Sequence, residues 1–155
     1  MSTTQQASTT RFGVIEVSSG DVVSMPEGIL GFPDSHRYVV IEHKPGSPFR
    51  WLQSLDEAAV AFLVVDPCTY IADYAPEIDD REAMVIELTA ESAQLVYTIV
   101  NVPKGKPEEM TLNLAGPIVI NADSRLAKQF VLDDSVYSIK YTPSRSANQP
   151  EGAAA

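Results

Sequence analysis

The sequence predicts an all-β protein, a compact antiparallel β-barrel of short strands with one short helix. Short runs of β-branched and aromatic residues recur along the chain, and Gly, Pro, Ser and Asp separate them. Residues 110–114 and 136–141 alternate apolar and polar side chains, as an antiparallel strand with one wet face does. Many short strands divided by turn signals are typical of small barrels and sandwiches.

Several segments carry the strand pattern, and each ends at a turn signal. In chain order they are residues 12–17, 21–25, 37–42, 49–54, 60–65, 94–102, 110–114, 117–121, 128–132 and 136–141. Residues 61–65 are apolar without interruption, so we expect both faces of that strand to be buried. Trp51, the only tryptophan, lies between proline-containing turns. We expect it to anchor the core, where its indole N–H finds an acceptor.

One helix is predicted after the central strands. Asp79 can cap its N-terminus, and the acidic side chain of Glu82 suits the first turn. Met84, Val85 and Leu88 then form an apolar stripe at helical spacing. We expect this short helix to plug or flank the barrel.

A chain of 155 residues is predicted to form one domain with a tail at each end. Residues 1–9 are rich in Ser, Thr and Gln, and residues 143–155 in Pro, Ser, Asn, Gln and small side chains. Neither segment offers enough apolar surface to offset the entropy cost of ordering, so we expect both to be disordered. Residues 10–142 then form the barrel domain.

The sequence also predicts a compartment. No apolar stretch approaches the roughly 20 residues that cross a bilayer, and the N-terminus lacks the regions of a signal peptide. The single cysteine, Cys68, excludes an internal disulfide framework. We therefore expect a cytoplasmic protein without membrane contact.

The formal net charge is −10, and nearly all of it falls within residues 56–91, where Arg81 is the only basic residue. A field of this sign repels phosphate backbones and speeds association with basic surfaces. The alternative is an acidic face that only keeps the protein soluble. Asp79, Asp80 and Glu82 lie within this acidic segment and are candidate contacts for a basic partner.

The thiol and imidazole groups that serve in nucleophilic catalysis or zinc binding are few and scattered. Cys68, His36 and His43 are the only thiol and imidazole groups, and no short spacing connects them. The carboxylates around Cys68 disfavour its thiolate, and each histidine lies beside a basic residue at a predicted solvent-facing strand end. We therefore expect no catalytic residues, no metal and no cofactor.

Small barrels also bind flavins or single-stranded nucleic acids, and both ligands need concentrated positive charge or converging backbone amides. Several basic residues are instead scattered singly along the chain, at Arg11, Arg37, Arg50, Arg125 and Lys128. The composition thus disfavours flavin binding and direct nucleic-acid binding.

Partner binding is the class of function that remains. Ile29, Leu30 and Phe32 form an apolar cluster in a proline-bounded, glycine-containing loop. Such a cluster either packs into the protein's own core or is displayed for an apolar partner. Tyr70 and Tyr74, in the acidic segment, suit an interface because each combines apolar area with a hydrogen-bonding tip.

Five blocks of sequence follow one another in an order typical of one protein family. They are TRFG at 10–13, PEGILGFP at 26–33, FRWLQS at 49–54, DYAP at 73–76 and NLAGPIVIN at 113–121. Chance agreement with a family pattern rarely extends over several blocks of this length, and the similarity covers residues 10–141. In these motifs the chain closely resembles the flagellar assembly factor FliW family.

The resemblance implies a compact antiparallel β-barrel and a non-enzymatic cytoplasmic protein. It also implies two alternative partners, newly made flagellin and CsrA, an RNA-binding repressor of translation. When flagellin is scarce, the factor binds CsrA and relieves the repression of flagellin translation; when flagellin accumulates, it occupies the factor. An apolar groove would suit flagellin's amphipathic ends, and an acidic face would suit the basic surface of CsrA.

Two other classes of function are kept as rivals. A barrel enzyme or cofactor-binding protein would purify with a bound chromophore or show a reactive Cys68. A scaffold domain whose acidic segment serves solubility alone would bind neither partner.

Overall fold

The computed structural model describes residues 3–143 and confirms the all-β class. This part of the chain contains one α-helix, α1 Asp80–Val85, between the sixth and seventh strands. The predicted strands coincide with or overlap observed ones, except for residues 136–141. The strands are β1 Thr4–Thr9, β2 Gly13–Ser18, β3 Val23–Ser24, β4 Arg37–Glu42, β5 Phe49–Ser54, β6 Ala61–Val65, β7 Gln94–Asn101, β8 Thr111–Leu112, β9 Ile118–Asn121 and β10 Ala127–Gln129.

Eight of these strands form one antiparallel sheet that curls into a nearly closed barrel. The order is β10-β9-β7-β6-β5-β4-β3, with β8 paired to β7. Ser24 at the end of β3 forms a bridge with Leu126, just before β10, and its N–H donates to the Arg125 carbonyl at 2.8 Å. This contact brings the two ends of the sheet together. β1 and β2 form a separate hairpin.

The central strands are covered on both faces by apolar clusters. Trp51 and Leu63 lie opposite each other on β5 and β6 and belong to one cluster. Leu52 and Val64 belong to a second cluster. Successive side chains of a strand point to opposite faces, so the two strands separate the two clusters. The predicted burial of residues 61–65 is confirmed for the last three of them.

Trp51 is confirmed as a core residue, with 6% of its surface exposed. Its indole N–H donates to His43 Nδ1 at 3.1 Å, and its ring meets the Phe12 ring edge-on with centroids 5.9 Å apart. The Arg11 guanidinium lies 4.2 Å from the centroid of the Trp51 ring. The prediction of a solvent-facing His43 is wrong, because its half-buried ring serves as the acceptor that the indole requires.

The predicted N-terminal tail is also wrong for residues 4–9. They form β1, which pairs with β2 along its whole length. Composition does not reveal this strand because its pairing uses backbone groups while Thr9 alone of its six side chains is buried. Thr9 Oγ1 accepts a hydrogen bond from the Phe12 N–H at 2.8 Å and so holds the hairpin turn. The predicted C-terminal tail, residues 143–155, lies outside the described residues except for Pro143.

Residues 136–141 do not form the predicted strand. The N–H groups of the two residues after Ser135 both donate to the Asp133 carbonyl at 3.0 Å. The Asp133 carboxylate also accepts hydrogen bonds from the Ser135 N–H at 2.9 Å and hydroxyl at 2.7 Å. These local bonds favour a turn over an extended chain. The segment meets the sheet again at a bridge between Tyr141 and Leu112.

Helix α1 begins where predicted, because the Asp79 carboxylate accepts the backbone N–H of the second residue after it at 2.7 Å. The predicted apolar stripe is wrong for Met84, which is 72% exposed, and for Val85, which is also exposed. Leu88, beyond the helix, is half-buried against the cluster that contains Ile86, the buried residue just after the helix. The reason is that the sheet holds the end of this short helix, where Asn121 Nδ2 donates to the Ile86 carbonyl at 2.9 Å. Within residues 3–143 no helix is long and apolar enough to cross a membrane.

Candidate partner-binding surfaces

The loop of residues 26–33 is a tight structure that needs glycine at one position. Gly28 has φ of +67°, and a Cβ there would lie 2.6 Å from the Phe32 carbonyl oxygen. Its N–H donates to the Met25 carbonyl at 2.9 Å, and the Phe32 N–H donates to the Ile29 carbonyl at 2.6 Å. These bonds fold the loop back on itself and give successive side chains opposite directions.

The three apolar residues of the predicted cluster therefore lie in different environments. Ile29 is 2% exposed and packs in the cluster around Leu52, so it belongs to the core. Leu30 is 79% exposed. Phe32 is 37% exposed and meets the Phe62 ring edge-on at 5.2 Å between centroids. The sequence left open whether this cluster packs in the core or is displayed for a partner. Ile29 packs in the core, and Leu30 is displayed at the surface.

Leu30 forms one wall of an apolar groove with a cavity volume of about 340 Å³. Val131, 73% exposed, and Ile139, 49% exposed, line it as well. Two carboxylates, Asp133 and Asp134, lie at the same groove. Its remaining lining residues, Asn113, Ala115, Gly116, Gln129 and Leu132, are uncharged. We call this cavity the Leu30 groove.

Val131 and Ile139 line the groove although their sequence context does not predict a site there. Both fall in predicted strands, residues 128–132 and 136–141, and the second of these showed the alternation of a strand with one buried face. The structure ends β10 at Gln129 and turns the chain after Asp133, so these apolar side chains face the surface instead. The pattern signalled apolar positions without showing which way they face.

Strand β10 holds the Leu30 loop in place. The Leu30 N–H donates to Gln129 Oε1 at 2.9 Å, and Gln129 Nε2 donates to the Gly116 carbonyl at 3.2 Å. The preceding residue, Lys128, places its Nζ 3.0 Å from a Glu27 carboxylate oxygen. The position of Leu30 is therefore set by two neighbouring side chains of a distant strand.

The acidic residues predicted to contact a basic partner differ in how far their carboxylates already interact with other groups of the protein. Asp79 caps α1 through its carboxylate, while Asp80 is exposed in the first turn. Glu82 lies 4.0 Å from Lys128 Nζ, the ammonium that also contacts Glu27. Lys128 thus joins α1 to the loop of the Leu30 groove, so the acidic helix adjoins that groove.

Asp56, at the start of the acidic segment, is committed to the fold. Burial disfavours its charged form, but the hydrogen bonds that it accepts from the His36 N–H and from the Arg37 side chain and N–H outweigh that effect. Together they lower the pKa of Asp56 below its usual range. Its charge is therefore partly neutralised within the molecule.

The two tyrosine candidates are less exposed than an interface anchor would be. Tyr74 is buried, its hydroxyl donates to the Leu114 carbonyl at 2.7 Å, and its ring meets Tyr137 edge-on. Burial is the main cause that raises the pKa of Tyr74. Tyr70 is half-buried against the same cluster, and burial raises its pKa to about 12. The structure assigns Tyr74 to the core.

Cys68 is exposed in the 3₁₀ turn Pro67–Thr69, and its Sγ lies 3.7 Å from the Tyr74 carbonyl oxygen. Desolvation first, and then the carboxylates of Asp66 and Asp73, raise the pKa of the thiol. The expected opposition of the acidic surroundings to the thiolate is confirmed.

The fold places the chain among small antiparallel β-barrel proteins, and comparison with known proteins narrows that class. The sequence model of one protein family, described as "FliW protein", matches residues 6–143 of this chain. Flagellar assembly factor FliW of Syntrophus aciditrophicus is 42% identical over 134 residues, which cover 86% of this chain and 84% of the relative. The chain belongs to the FliW family of flagellar assembly factors.

Other relatives agree with this assignment. Flagellar assembly factor FliW of Magnetococcus marinus is 38% identical over 125 residues, covering 81% of this chain and 77% of the relative. A crystal structure of the flagellar assembly factor FliW superposes with a TM-score of 0.80 at 30% identity, covering 89% of this chain and 96% of that one. These relatives carry the name of an assembly factor rather than that of an enzyme.

Proposed function

We propose that this protein is a cytoplasmic, non-enzymatic partner of two proteins, flagellin and the translational repressor CsrA. It binds flagellin in the Leu30 groove and CsrA through the acidic surface around α1. Binding of CsrA relieves repression of flagellin translation, and accumulated flagellin ends that relief by occupying the protein. The proposal takes the partners from the family resemblance and the surfaces from the geometry.

The observation that carries the proposal is the Leu30 groove. Monomeric proteins seldom leave side chains such as Leu30 and Val131 exposed side by side unless the patch receives a partner. The terminal segments of unassembled flagellin are apolar and amphipathic, and an amphipathic helix binds by laying its apolar stripe into such a groove. Asp133 and Asp134 suit basic side chains beside that stripe.

The acidic surface supports CsrA as the second partner. A protein that holds RNA must present a basic surface, and opposite charges speed encounter and set orientation. Asp80 is exposed on α1, and Glu77 is exposed just before it. Since Lys128 links α1 to the loop of the Leu30 groove, the two surfaces adjoin. Adjoining surfaces favour one partner at a time.

The test is titration calorimetry of a C-terminal flagellin peptide against the parent protein and Leu30→Ser. We expect the substitution to weaken binding by about 1–3 kcal/mol, as the loss of a central apolar anchor does. Val14→Ser is the matched control, since Val14 is 64% exposed on β2 outside the groove. Thermal melts check that both variants are folded.

A second arm of the experiment tests the exchange of partners. The flagellin peptide should displace CsrA from the parent protein and should do so poorly from Leu30→Ser. Equal peptide affinity for the parent and Leu30→Ser would remove the groove from the proposal. Simultaneous binding of peptide and CsrA would remove the exchange.

A further inference from the structure

Strand β4 has a free edge over part of its length. It pairs with β5 from Tyr38 to Glu42, but β3 covers only its first two residues. The Leu55 N–H donates to the Arg37 carbonyl, which shows that the odd-numbered residues of β4 bond toward β5. Bonding direction alternates along an antiparallel strand. Val40 and Glu42 therefore turn their N–H and C=O groups away from β5, where no strand of residues 3–143 pairs with them.

Strand β2 has a free edge as well. The Ser19 N–H donates to the Thr3 carbonyl at 2.7 Å, so the odd-numbered residues at this end of the hairpin bond toward β1. The same alternation turns the backbone groups of Val14 and Glu16 away from β1. Within the described part of the chain, β1 is the only strand paired with β2.

A cavity of about 490 Å³ lies where these edges approach each other. Glu16 of β2 and three consecutive residues of β4, Val39, Val40 and Ile41, line it. Apolar side chains of Ile15, also on β2, and of Leu95 and Tyr97 on β7 complete much of its wall. We call this cavity the edge cavity. It is separate from the Leu30 groove, since the two share no lining residue.

The edge cavity also contains a guanidinium with unused hydrogen-bonding capacity. Arg125 lines it, and its Nη2 donates to the Asp21 carbonyl at 3.0 Å. Its Nε is buried and has no acceptor among the described residues. A buried donor without an acceptor is destabilising.

We propose that the edge cavity is a binding site for an extended peptide segment of a partner protein, which adds to β4 as a further strand. The unpaired backbone groups of Val40 and Glu42 identify a strand as the occupant, because a helix has already used its own N–H and C=O groups. The apolar wall selects apolar side chains at alternate positions of the peptide. The carboxylates of Glu16 and Glu42 favour Lys or Arg at its ends.

The test uses a blocked peptide of sequence Lys-Val-Thr-Val-Thr-Val-Lys, titrated into the isotope-labelled full chain to about 1 mM, where weak peptide complexes are detectable by NMR. We expect saturable shifts in the amides of Val40, Glu42 and Glu16, and slower hydrogen exchange at Val40 and Glu42 in the complex. Neither flagellin nor CsrA is used, so the result is independent of the function proposed above.

Three controls separate strand addition from nonspecific contact. A peptide of the same sequence with every second amide N-methylated keeps its side chains but loses the N–H donors on one edge. Two such peptides are possible, methylated on one edge or on the other, and we call them the two methylation registers. One of them should bind at least about tenfold more weakly than the parent peptide. Leu95→Trp, at an exposed position on the cavity wall, should fill the cavity and weaken binding to a similar extent. Leu30→Ser, in the other groove, should bind as the parent does.

Several outcomes would overturn the proposal. They are absence of binding at about 1 mM peptide, equal affinity for both N-methylated registers and the parent peptide, and a folded Leu95→Trp variant that binds unchanged. Concentration-dependent dimers that protect the Val40 amide without peptide would assign the edge to a second copy of the chain. Arg125→Lys offers a further check, since loss of the guanidinium should weaken a peptide that ends in a free carboxylate more than its amide.

Discussion

At the scale of single residues, neighbours in sequence have opposite roles because of local backbone geometry. Ile29 is in the core and Leu30 is at the surface, although the sequence offers both as members of one apolar cluster. The difference arises from the tight turn around Gly28, whose positive φ an L-residue rarely adopts. Trp51 shows the reverse case, in which composition and turn punctuation were enough to identify a core residue.

Trp51→Ala is expected to lower the free energy of unfolding by about 3–5 kcal/mol, because it leaves a cavity and removes the indole N–H that donates to His43 Nδ1. Urea unfolding measures the loss, and Trp51→Phe, which keeps an aromatic ring, should lose less. The parent protein should show blue-shifted, quencher-resistant tryptophan fluorescence. A Trp51→Ala protein as stable as the parent would contradict the core assignment.

At the scale of elements, polar side chains of the last sheet strands hold a loop and a helix that lie far from them in the sequence. Gln129 and Lys128 of β10 hold the Leu30 loop, and Asn121 at the end of β9 holds the end of α1. The Asn121 Nδ2 donates to the carbonyls of Ile86 and Glu87 at 2.9 and 3.1 Å. A helix of six residues is marginal alone, so these bonds decide its position.

Asn121→Ala is expected to destabilise the protein by about 1–3 kcal/mol, since the Ile86 carbonyl loses its buried amide donor and keeps only the Ser124 hydroxyl at 3.4 Å. The effect should be concentrated near α1, where backbone amides of residues 80–88 should exchange hydrogen faster than in the parent. Asn101→Ala, at an exposed asparagine in β7, is the matched control and should change little. Unchanged exchange in α1 with a normal unfolding midpoint would show that Asn121 does not hold the helix.

At the scale of the whole molecule, the charge of −10 is organised rather than uniform. Some carboxylates of the acidic segment are used internally: Asp56 binds Arg37, Asp79 caps α1, and Glu82 lies near Lys128. These carboxylates contribute less to the electrostatic field around the protein than a count of acidic residues in the sequence suggests. Exposed carboxylates without such partners are the ones that act on an approaching basic protein.

Neutralising Glu77 and Asp80 together, as Glu77→Gln/Asp80→Asn, is expected to slow association with CsrA at low salt and to flatten its salt dependence. Asp79 is left in place so that the helix cap is kept. Asp34→Asn/Glu108→Gln removes the same charge from exposed positions outside the acidic segment and should have a smaller effect. Stopped-flow rates over a salt series measure both, and equal rates for the two variants would contradict steering by this surface.

The sequence by itself determined the all-β class, most strands, the core role of Trp51, the cap of α1 and the family. These features depend on periodicity, turn residues and motif order, which are local. Tertiary structure decided what depends on distant partners. β1 exists through backbone pairing with β2, residues 136–141 turn around Asp133, and the Leu30 groove joins segments about a hundred positions apart in the chain. In a sequence, an apolar side chain is equally compatible with burial in the core and with a place on a binding surface. Only the packing around that side chain distinguishes a core position from a binding position.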